Sequence, residues 1–477
     1  MRKDRYLQTA FVVFLIGAFL RFYRLGAFVT FLGDQGRDAI VIKRLITGEH
    51  FPAIGPASSV GNIYLGSFYY YFIAPWLLLF RFDPIGLAVG VAFISSLFIL
   101  IQYFLVERIF DKTTALLSCI FVAFSSTLIE FSRFSWNPNL LPVFAFLTIY
   151  LFIEAFEKKR PIYFFLAGVA LSSSIQLHYL ALVLIPGFVF VLAKKILQKK
   201  VRTPKNFLNI VICTVGFVLF ASPLIIFDLR HQFINSRNFL ILFHSTGSMT
   251  TSLIPNFMNT AHSFGMYAFS LKTSGFLAVP FIISLIFALV LMVKGKGKVS
   301  NFFIFYFFAT LGIGLYGGPK YPHYFAVLYV LFFITISYLF TKLPKNIWGY
   351  GLTGLFAASF ILVNSQNYTA FFQNGSYQID KAKKISKFIF DNVREKDYMV
   401  TAIPEVYSDH TARYFLEIWG KKPLERDNTK NARELFVICE NPCKPIGNPL
   451  YDIAVFSAKK ITASSKVDNV TIYKLTH

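Results

Sequence analysis

Long apolar runs recur along the first 364 residues of the chain and are separated by short polar connections. Most of them have roughly 17 to 22 residues, the length a helix needs to cross a hydrocarbon core of about 30 Å. Eleven runs predict membrane-spanning helices, at 7–25, 85–106, 114–131, 139–156, 162–177, 179–193, 207–227, 276–293, 301–317, 323–341 and 347–364. The pattern therefore predicts an α-helical polytopic membrane protein.

A twelfth apolar stretch, 64–80, contains Pro75 and four Tyr, so it could cross the membrane or lie at its surface. The basic connections decide between these readings. If the stretch does not cross and the N-terminus is cytoplasmic, every basic connection is cytoplasmic, as the positive-inside rule requires. These connections hold Arg108 and Lys112, Lys158–Arg160, Lys194–Lys205, Lys294–Lys298, and Lys342 and Lys345. We therefore expect an interfacial or re-entrant helix at 64–80 and an extracytoplasmic C-terminus. The Lys-rich and Phe-rich composition fits a bacterial plasma membrane.

Composition excludes a water-soluble protein, because 55% of the 477 residues are hydrophobic and only 15% are charged. The net charge of +23 could indicate a nucleic-acid partner. However, the basic residues lie in the short connections, where they orient the spans and attract anionic lipid. Nucleic acid is therefore not an expected partner.

Residues 365–477 differ in composition from the membrane part at 1–364. Alternating apolar pieces at 398–403, 435–438 and 453–456 predict a small extracytoplasmic α/β domain with a modest core. Cys439 and Cys443 lie in this tail, where a disulfide is plausible in an oxidising compartment. Cys119 and Cys213 lie in predicted spans and are expected to be buried.

The first outer loop contains an unusual polar segment directly after the first span. Gly33 and Gly36 bracket Asp34, and Arg37 and Asp38 follow. Apolar residues then recur with helical spacing, at Ala39, Ile40, Ile42, Leu45 and Ile46, which predicts a short helix on the membrane surface. Asp34 just ahead of that helix could be its N-cap, and Arg37 could contact lipid headgroups.

Further polar residues fall in the other outward-facing turns. They are Arg133, Trp136 and Asn137 in SRFSWNPN, His178 and Tyr179, Arg230 and His231, and Lys320, His323 and Tyr324 in GGPKYPHYF. Each has a structural alternative, as a snorkelling anchor, an aromatic-belt residue or a hydrogen-bonded histidine. The Gly- and Pro-rich turn around Lys320 presents an ammonium that can neutralise a phosphate.

This arrangement resembles the GT-C glycosyltransferases. The likeness lies in the long first outer loop, its acidic residue right after the first span, a surface helix and an aromatic interfacial helix. More narrowly, it resembles family 39, which includes protein O-mannosyltransferases and the aminoarabinose transferase acting on lipid A. The segment GDQGRDA looks like that family's acidic-plus-arginine loop, and SRFSWNPN and PHYF resemble two further stretches. The resemblance covers residues 7–364 and not the tail.

The resemblance implies a transferase that uses a polyprenyl-phosphate sugar on the outer face of the membrane, with a lipid, glycan or protein acceptor. Asp34 matches the family's catalytic carboxylate and would accept the proton of the attacking hydroxyl, with inversion in a single displacement. Arg37 matches the family arginine and would contact the leaving phosphate. On this reading Arg133 is expected near the phosphate and Trp136 or Asn137 near the sugar, and the remaining turn residues are candidates for substrate binding.

The chain also departs from the aminoarabinose-transferase branch, which carries an acidic and basic pair just ahead of its interfacial helix. Here the equivalent stretch, PASSVGNIYLGSFYYY, has neither, so catalysis without a metal or other cofactor is expected. Two other functions stay open. A transporter or flippase would place polar groups near mid-membrane and show internal repeats, and no convincing repeat is found. A polysaccharide polymerase would lack a carboxylate directly after its first span.

Overall fold

The computed structural model describes residues 4–58, 62–198, 204–245, 253–271, 276–318, 320–404, 406–440 and 443–477. Several residues used above lie outside this part of the chain. They are residues 59–61 of PASSVGNIYLGSFYYY, the basic residues between 199 and 203, and Pro319 in the Lys320 turn.

Helices make up almost all of the membrane part. They are α1 (Arg5–Phe22), α2 (Leu25–Phe28), α3 (Gly33–Ile46), α4 (Phe68–Leu79), α5 (Ile85–Ile109), α6 (Lys112–Phe124), α7 (Ser126–Ser132), α8 (Leu141–Lys158), α9 (Pro161–Leu177), α10 (Leu184–Leu197), α11 (Pro204–Arg230), α12 (Ile234–Ser245), α13 (Leu253–Phe269), α14 (Ala278–Lys294), α15 (Gly297–Leu315), α16 (Tyr329–Phe340) and α17 (Ile347–Ser365). Short 3₁₀ helices at Asn137–Leu140, Tyr179–Val183 and Pro322–Phe325 precede α8, α10 and α16.

The predicted polytopic helical membrane protein is confirmed. Within the described residues, seven helices are long and apolar enough to cross a membrane, or eight if the bent pair α6–α7 forms one span. Three of the eleven predicted spans, at 162–177, 276–293 and 323–341, instead coincide with apolar helices of 10 to 17 residues. The number of crossings therefore stays a prediction.

The stretch 64–80 is not helical throughout. Its first residues form strand β2 (Tyr64–Gly66), which pairs antiparallel with β1 (Ile54–Ala57), and α4 begins only at Phe68. A Cβ at Gly66 would lie 2.2 Å from the side chain of Gln176, so this strand can approach α9 only because residue 66 is glycine. An apolar run hides such a change from strand to helix, since both use the same residues.

A buried arginine stabilises the bend between α6 and α7, which meet at 64°. At the bend, the amide of Ser126 donates to Asn364 Oδ1 (2.8 Å) instead of continuing the helix. Arg21 of α1 donates to the carbonyls of Val122 (3.0 Å) and Ala123 (3.2 Å). Carbonyls freed by a break in a buried helix need other donors, and this side chain supplies them.

The C-terminal part is the predicted small α/β unit. It contains α18 (Thr369–Phe372), α19 (Gln378–Asn392), α20 (His410–Ile418) and α21 (Tyr451–Phe456), with strands β3 (Tyr398–Ile403), β4 (Glu434–Cys439), β5 (Lys460–Val467) and β6 (Val470–Thr476). The sheet order is β3-β4-β6-β5, with β3 and β4 parallel and the other pairs antiparallel. The apolar piece at 453–456 lies in α21. A disulfide joins Cys439 and Cys443, while Cys119 and Cys213 are buried thiols.

Alternate residues of the central strands feed two separate cores, one on each face of this sheet. Val400 and Phe436 pack with Ile389 of α19 on one face. Met399 and Val437 pack on the other, in the core that includes residues of α21. This period of two is the expected consequence of strand geometry, and it leaves α19 and α20 on the same side of the sheet.

Candidate active site

Helix α3 presents the predicted acidic loop. Its N-cap is Leu32, whose amide donates to the side chain of Gln35 (3.1 Å), and Asp34 lies in the first helical turn. The interpretation of Asp34 as the N-cap is therefore wrong, although an acidic residue still suits the positive end of the helix dipole. The helix is confirmed, but it is packed between α4 and α20 rather than lying uncovered on the membrane surface.

One arginine joins two carboxylates on α3. Arg37 Nη1 donates to Asp34 Oδ1 (2.9 Å). Its Nε and Nη2 both donate to Asp38 Oδ1, at 3.0 and 2.9 Å, and the hydroxyl of Tyr70 donates to the same oxygen (3.1 Å). The side chain of Asp34 is 55% exposed, that of Arg37 30% and that of Asp38 0%. Asp34 thus faces open space, while Asp38 supports the arginine from behind.

Asp38 lies in the polar segment that follows the first span, but the sequence did not identify it as a site residue. Its second oxygen, Oδ2, is buried and has no hydrogen-bond partner within the described part of the chain. Burial raises the pKa of Asp38, although the Arg37 guanidinium opposes this shift. The signal that could have identified it is the spacing, because residues 34, 37 and 38 share one helix face.

Asp34 and Arg37 open onto a cavity of about 1460 Å³. Apolar residues from the ends of membrane helices line one part of it, among them Leu182, Val183 and Leu315. Strands β1 and β2 contribute a further wall. Eight of the predicted site residues line this one cavity: Asp34, Arg37, Trp136, Asn137, His178, Tyr179, His323 and Tyr324.

Aromatic rings from three separate turns meet at the wall of the cavity. The ring of His323 lies 4.7 Å from Trp136, 5.7 Å from His178 and 4.5 Å from Tyr324, measured between centroids. His178 Nδ1 accepts a hydrogen bond from the amide of Leu180 (3.2 Å), so a neutral His178 carries its proton on Nε2. Such a cluster offers ring faces and N–H or O–H donors, which suit a sugar.

Two cavity residues also hold the backbone of the wall. Asn137 Nδ2 donates to Leu177 O (2.7 Å) at the end of α9. Tyr179 donates its hydroxyl to Tyr64 O (2.5 Å), and Asn235 pairs with the backbone of Tyr64 through both ends of its amide. The side chains of Asn137 and Tyr179 therefore fix the turn at 177 and the β2 strand in place.

Arg133 does not line the cavity. Its guanidinium is buried and donates to the carbonyls of Leu20 (2.9 Å), Arg21 (3.0 Å) and Tyr23 (2.9 Å) at the end of α1. Terminal carbonyls of a buried helix need donors from elsewhere, and Arg133 supplies them. The geometry thus assigns this arginine a structural task and does not bring it to the expected phosphate position.

Arg230, His231 and Lys320 also lie outside the cavity lining. Arg230 ends α11 and is exposed. His231 stacks on Phe227 with ring centroids 4.1 Å apart. Lys320 donates to the backbone carbonyl of Tyr316, a residue that does line the cavity. Burial lowers the pKa of Lys320 to about 8.

The C-terminal unit supplies another wall, which the sequence did not reveal. Ser408, His410 and Glu440 line the cavity. The contact with α3 is close, since a Cβ on Gly36 would lie 2.6 Å from the amide nitrogen of Thr411. Farther along α3, Arg44 donates to both carboxylate oxygens of Glu417, at 2.9 and 2.8 Å. The helix that carries Asp34 is therefore fixed against α20.

Among the described residues, no group of three or more His, Cys, Asp or Glu side chains is placed to hold a metal ion. Catalysis without a metal stays a prediction.

Comparisons with known proteins address the fold. Residues 67–226 match the family described as dolichyl-phosphate-mannose-protein mannosyltransferase. ArnT from Cupriavidus metallidurans bound to undecaprenyl phosphate is similar over 98% of this chain and 97% of its own, with a TM-score of 0.59 and 12% identity. The apo oligosaccharyltransferase of Archaeoglobus fulgidus is similar over 88% of this chain and 64% of its own, with a TM-score of 0.56 and 14% identity. The chain has the GT-C glycosyltransferase fold. A search of curated protein sequences gave no significant match.

The resemblance to GT-C proteins is thus confirmed in the fold, which extends through the C-terminal unit, because the similarity to ArnT spans almost the whole chain. The family match begins at residue 67. It includes the aromatic turn residues Trp136 and His178, whereas Asp34 and Arg37 precede it. The roles expected for Asp34 and Arg37 are therefore argued from their geometry and not from the family match.

Proposed function

We propose that this chain is a membrane glycosyltransferase that moves a sugar from a polyprenyl-phosphate carrier to a hydroxyl of a lipid, glycan or protein acceptor on the extracytoplasmic face. The observation that carries the proposal is the Asp34–Arg37 pair in the lining of a cavity between membrane-helix ends and the C-terminal unit. The similarity to an ArnT structure bound to undecaprenyl phosphate supports this class of donor.

The chemistry needs a base and a group that stabilises the leaving phosphate. The acceptor oxygen attacks the anomeric carbon while the bond from that carbon to the phosphate oxygen breaks, which inverts the anomeric centre. Asp34 takes the hydroxyl proton, and the electron pair of the broken bond stays on the lipid phosphate. Arg37 lies next to Asp34 and offers a cation to that phosphate. No covalent enzyme intermediate is required.

The remaining cavity surface suits the rest of the donor. Apolar side chains at the membrane-helix ends, such as Leu182 and Leu315, match the first isoprene units of the carrier. The ring cluster of Trp136, His178 and His323 offers faces and donors for the sugar. Ser408 and Glu440 of the C-terminal unit provide a polar surface along which the acceptor can enter the cavity.

The test is transfer from radiolabelled undecaprenyl-phosphate sugars by purified protein in lipid nanodiscs under chelator. Separate arms carry mannose, glucose or aminoarabinose on the donor and a Ser-containing peptide, a neutral oligosaccharide or a membrane lipid extract as acceptor. Wild type should transfer label in at least one arm, and Asp34→Asn should lose it because the base is gone. Asp83→Asn is the matched control, since Asp83 also pairs with a cation, Lys383 (2.9 Å), but does not line the cavity.

Normal transfer by Asp34→Asn would refute the assignment of the base. If wild type releases no label from any donor, including release to water, a transporter or a polymerase becomes the better interpretation.

A further inference from the structure

The guanidinium of Arg37 has two different environments. Its inner edge, Nε and Nη2, is bonded to one oxygen of the buried Asp38. Its outer nitrogen, Nη1, reaches the exposed Asp34. An arginine has five N–H donors and three of them are used here, so two remain for a ligand, one on Nη1 and one on Nη2.

Asp34 and a donor phosphate are both attracted to the outer end of this guanidinium, because its inner edge is already bonded to Asp38, so the two anions compete for one positive charge. An Asp34 oxygen that accepts a hydrogen bond from Arg37 can take up a proton there only after that bond is released. A phosphate that contacts Nη1 draws positive charge away from Asp34. By contrast, Asp38 is fully buried and cannot exchange its arginine partner for solvent.

We infer that Asp38 is a positioning residue that anchors Arg37, so that the outer end of the guanidinium is shared between Asp34 and the donor phosphate. Without a donor, Arg37 pairs with Asp34. When the donor arrives, its phosphate takes over Nη1, and Asp34 becomes free to accept a proton. The base is thus released only in the presence of the group that must leave. This inference rests on the proposed function and specifies how its two residues are coupled.

The anchor has structural support beyond the two Arg37 bonds. Tyr70 of α4 donates to the same Asp38 oxygen (3.1 Å), which ties α3 to α4 at this point. The other oxygen of Asp38 has no partner within the described residues. Burying a carboxylate costs free energy, and here only one arginine and one tyrosine hydrogen-bond to it. The need to hold Arg37 explains this arrangement better than a gain in stability does.

The inference predicts effects of opposite sign for the two carboxylates. Removing Asp34 removes the competitor and a nearby negative charge, so undecaprenyl phosphate should bind about fivefold more tightly to Asp34→Asn. Removing the charge of Asp38 releases Arg37 to pair fully with Asp34. Binding to Asp38→Asn should therefore weaken about tenfold. If both carboxylates acted only as negative charges near a phosphate, both substitutions would tighten binding.

The experiment is equilibrium binding of tritiated undecaprenyl phosphate to the full-length protein in phosphatidylcholine nanodiscs, where no anionic lipid competes. Wild type, Asp34→Asn, Asp38→Asn and the double variant are compared, with Asp83→Asn as the matched control. In the double variant, loss of the competitor should restore part of the affinity that Asp38→Asn loses. Tyr70→Phe keeps every charge and removes one hydrogen bond from the anchor, so it serves as the milder variant should Asp38→Asn fail to fold. Its binding should weaken about twofold.

Two results would overturn the inference: tighter binding of undecaprenyl phosphate to Asp38→Asn, and unchanged or weaker binding to Asp34→Asn. Where Tyr70→Phe replaces Asp38→Asn, unchanged binding to Tyr70→Phe would overturn it as well. These results leave the proposed function standing, because wild type still binds the donor phosphate. If wild type does not bind undecaprenyl phosphate at all, the proposed function and the inference fall together.

Discussion

Gly36→Ala tests how closely the C-terminal unit is fixed to the helix that carries Asp34. In the interior of a helix this substitution normally stabilises the protein, by about 1 kcal/mol, because glycine has the larger backbone entropy. Here the new methyl group would meet backbone atoms, with Thr411 N at 2.6 Å and the carbonyl carbon of His410 at 2.7 Å. These atoms belong to the start of α20 and cannot rotate away as a side chain could.

The magnitude follows from the overlap. Ordinary contacts between heavy atoms are about 3.5 to 4.0 Å, so α3 and α20 must separate by about 1 Å. Forcing a methyl group into a packed site costs about 1 to 3 kcal/mol, which exceeds the gain in helix propensity. A shift of about 1 Å next to a reacting group can reduce the rate about 10²-fold. We therefore expect a less stable contact and a large loss of transfer.

Two measurements on protein in nanodiscs check this expectation. Hydrogen exchange should rise in α20 (His410–Ile418) and in the first turns of α3, and sugar transfer should fall. The matched control is Gly354→Ala in α17, where the new methyl group meets nothing within 4 Å. That variant should be unchanged or slightly more stable.

Wild-type exchange and wild-type transfer in Gly36→Ala would refute the reasoning, because they would mean that the two helices are not in contact in the working protein. Loss of transfer without any change in α20 exchange would place the effect within α3 itself.

Three further results are expected. Arg133→Met should destabilise the protein by ~3–5 kcal/mol in thermal unfolding, because three helix-end carbonyls lose a charged donor. The Kd for undecaprenyl phosphate should stay within about twofold of wild type. Weaker binding of undecaprenyl phosphate at unchanged stability would instead place Arg133 in the binding site. Lys320 has a pKa near 8, so its ammonium loses its charge as the pH rises through 8. If Lys320 helps to hold the phosphate, donor affinity should fall over this range in wild type and stay level in Lys320→Arg, because arginine remains charged. The same dependence of affinity on pH in both proteins would exclude that role. Burial lowers the pKa of His410 to about 4, against 6.5 in the unfolded chain, so the unfolded chain binds the proton first as the pH falls. The free energy of unfolding should therefore fall by up to ~3 kcal/mol between pH 6.5 and pH 4. His410→Gln should show a smaller loss in urea titrations at these two pH values.

The sequence predicts those parts of this protein that depend on local pattern. Hydrophobic length identified the helices, and helical spacing identified α3. The turns that hold Trp136, His178 and His323 were expected on one side because consecutive spans alternate direction, and their rings do meet.

Other parts depend on contacts that sequence spacing does not reveal. Arg133 looks like a surface cation until the end of α1 is known to lie beside it. The strand at Tyr64–Gly66 looks like the start of a helix until Gln176 is known to press against Gly66. The cavity residues Ser408 and Glu440 belong to a sheet unit whose docking depends on a contact between distant residues, so their positions follow only from the three-dimensional structure.

The close contact between α3 and α20 also has a consequence for biosynthesis. Arg44 and its partner Glu417 are 373 residues apart in the chain. Chains are made from the N-terminus, so α3 is completed long before its partner exists. The protein can therefore insert its helices while α3 still lacks its partner, and the cavity around Asp34 is completed only when the last part of the chain has reached the same side of the membrane. Truncated or stalled products would lack the wall that Ser408, His410 and Glu440 supply to this cavity.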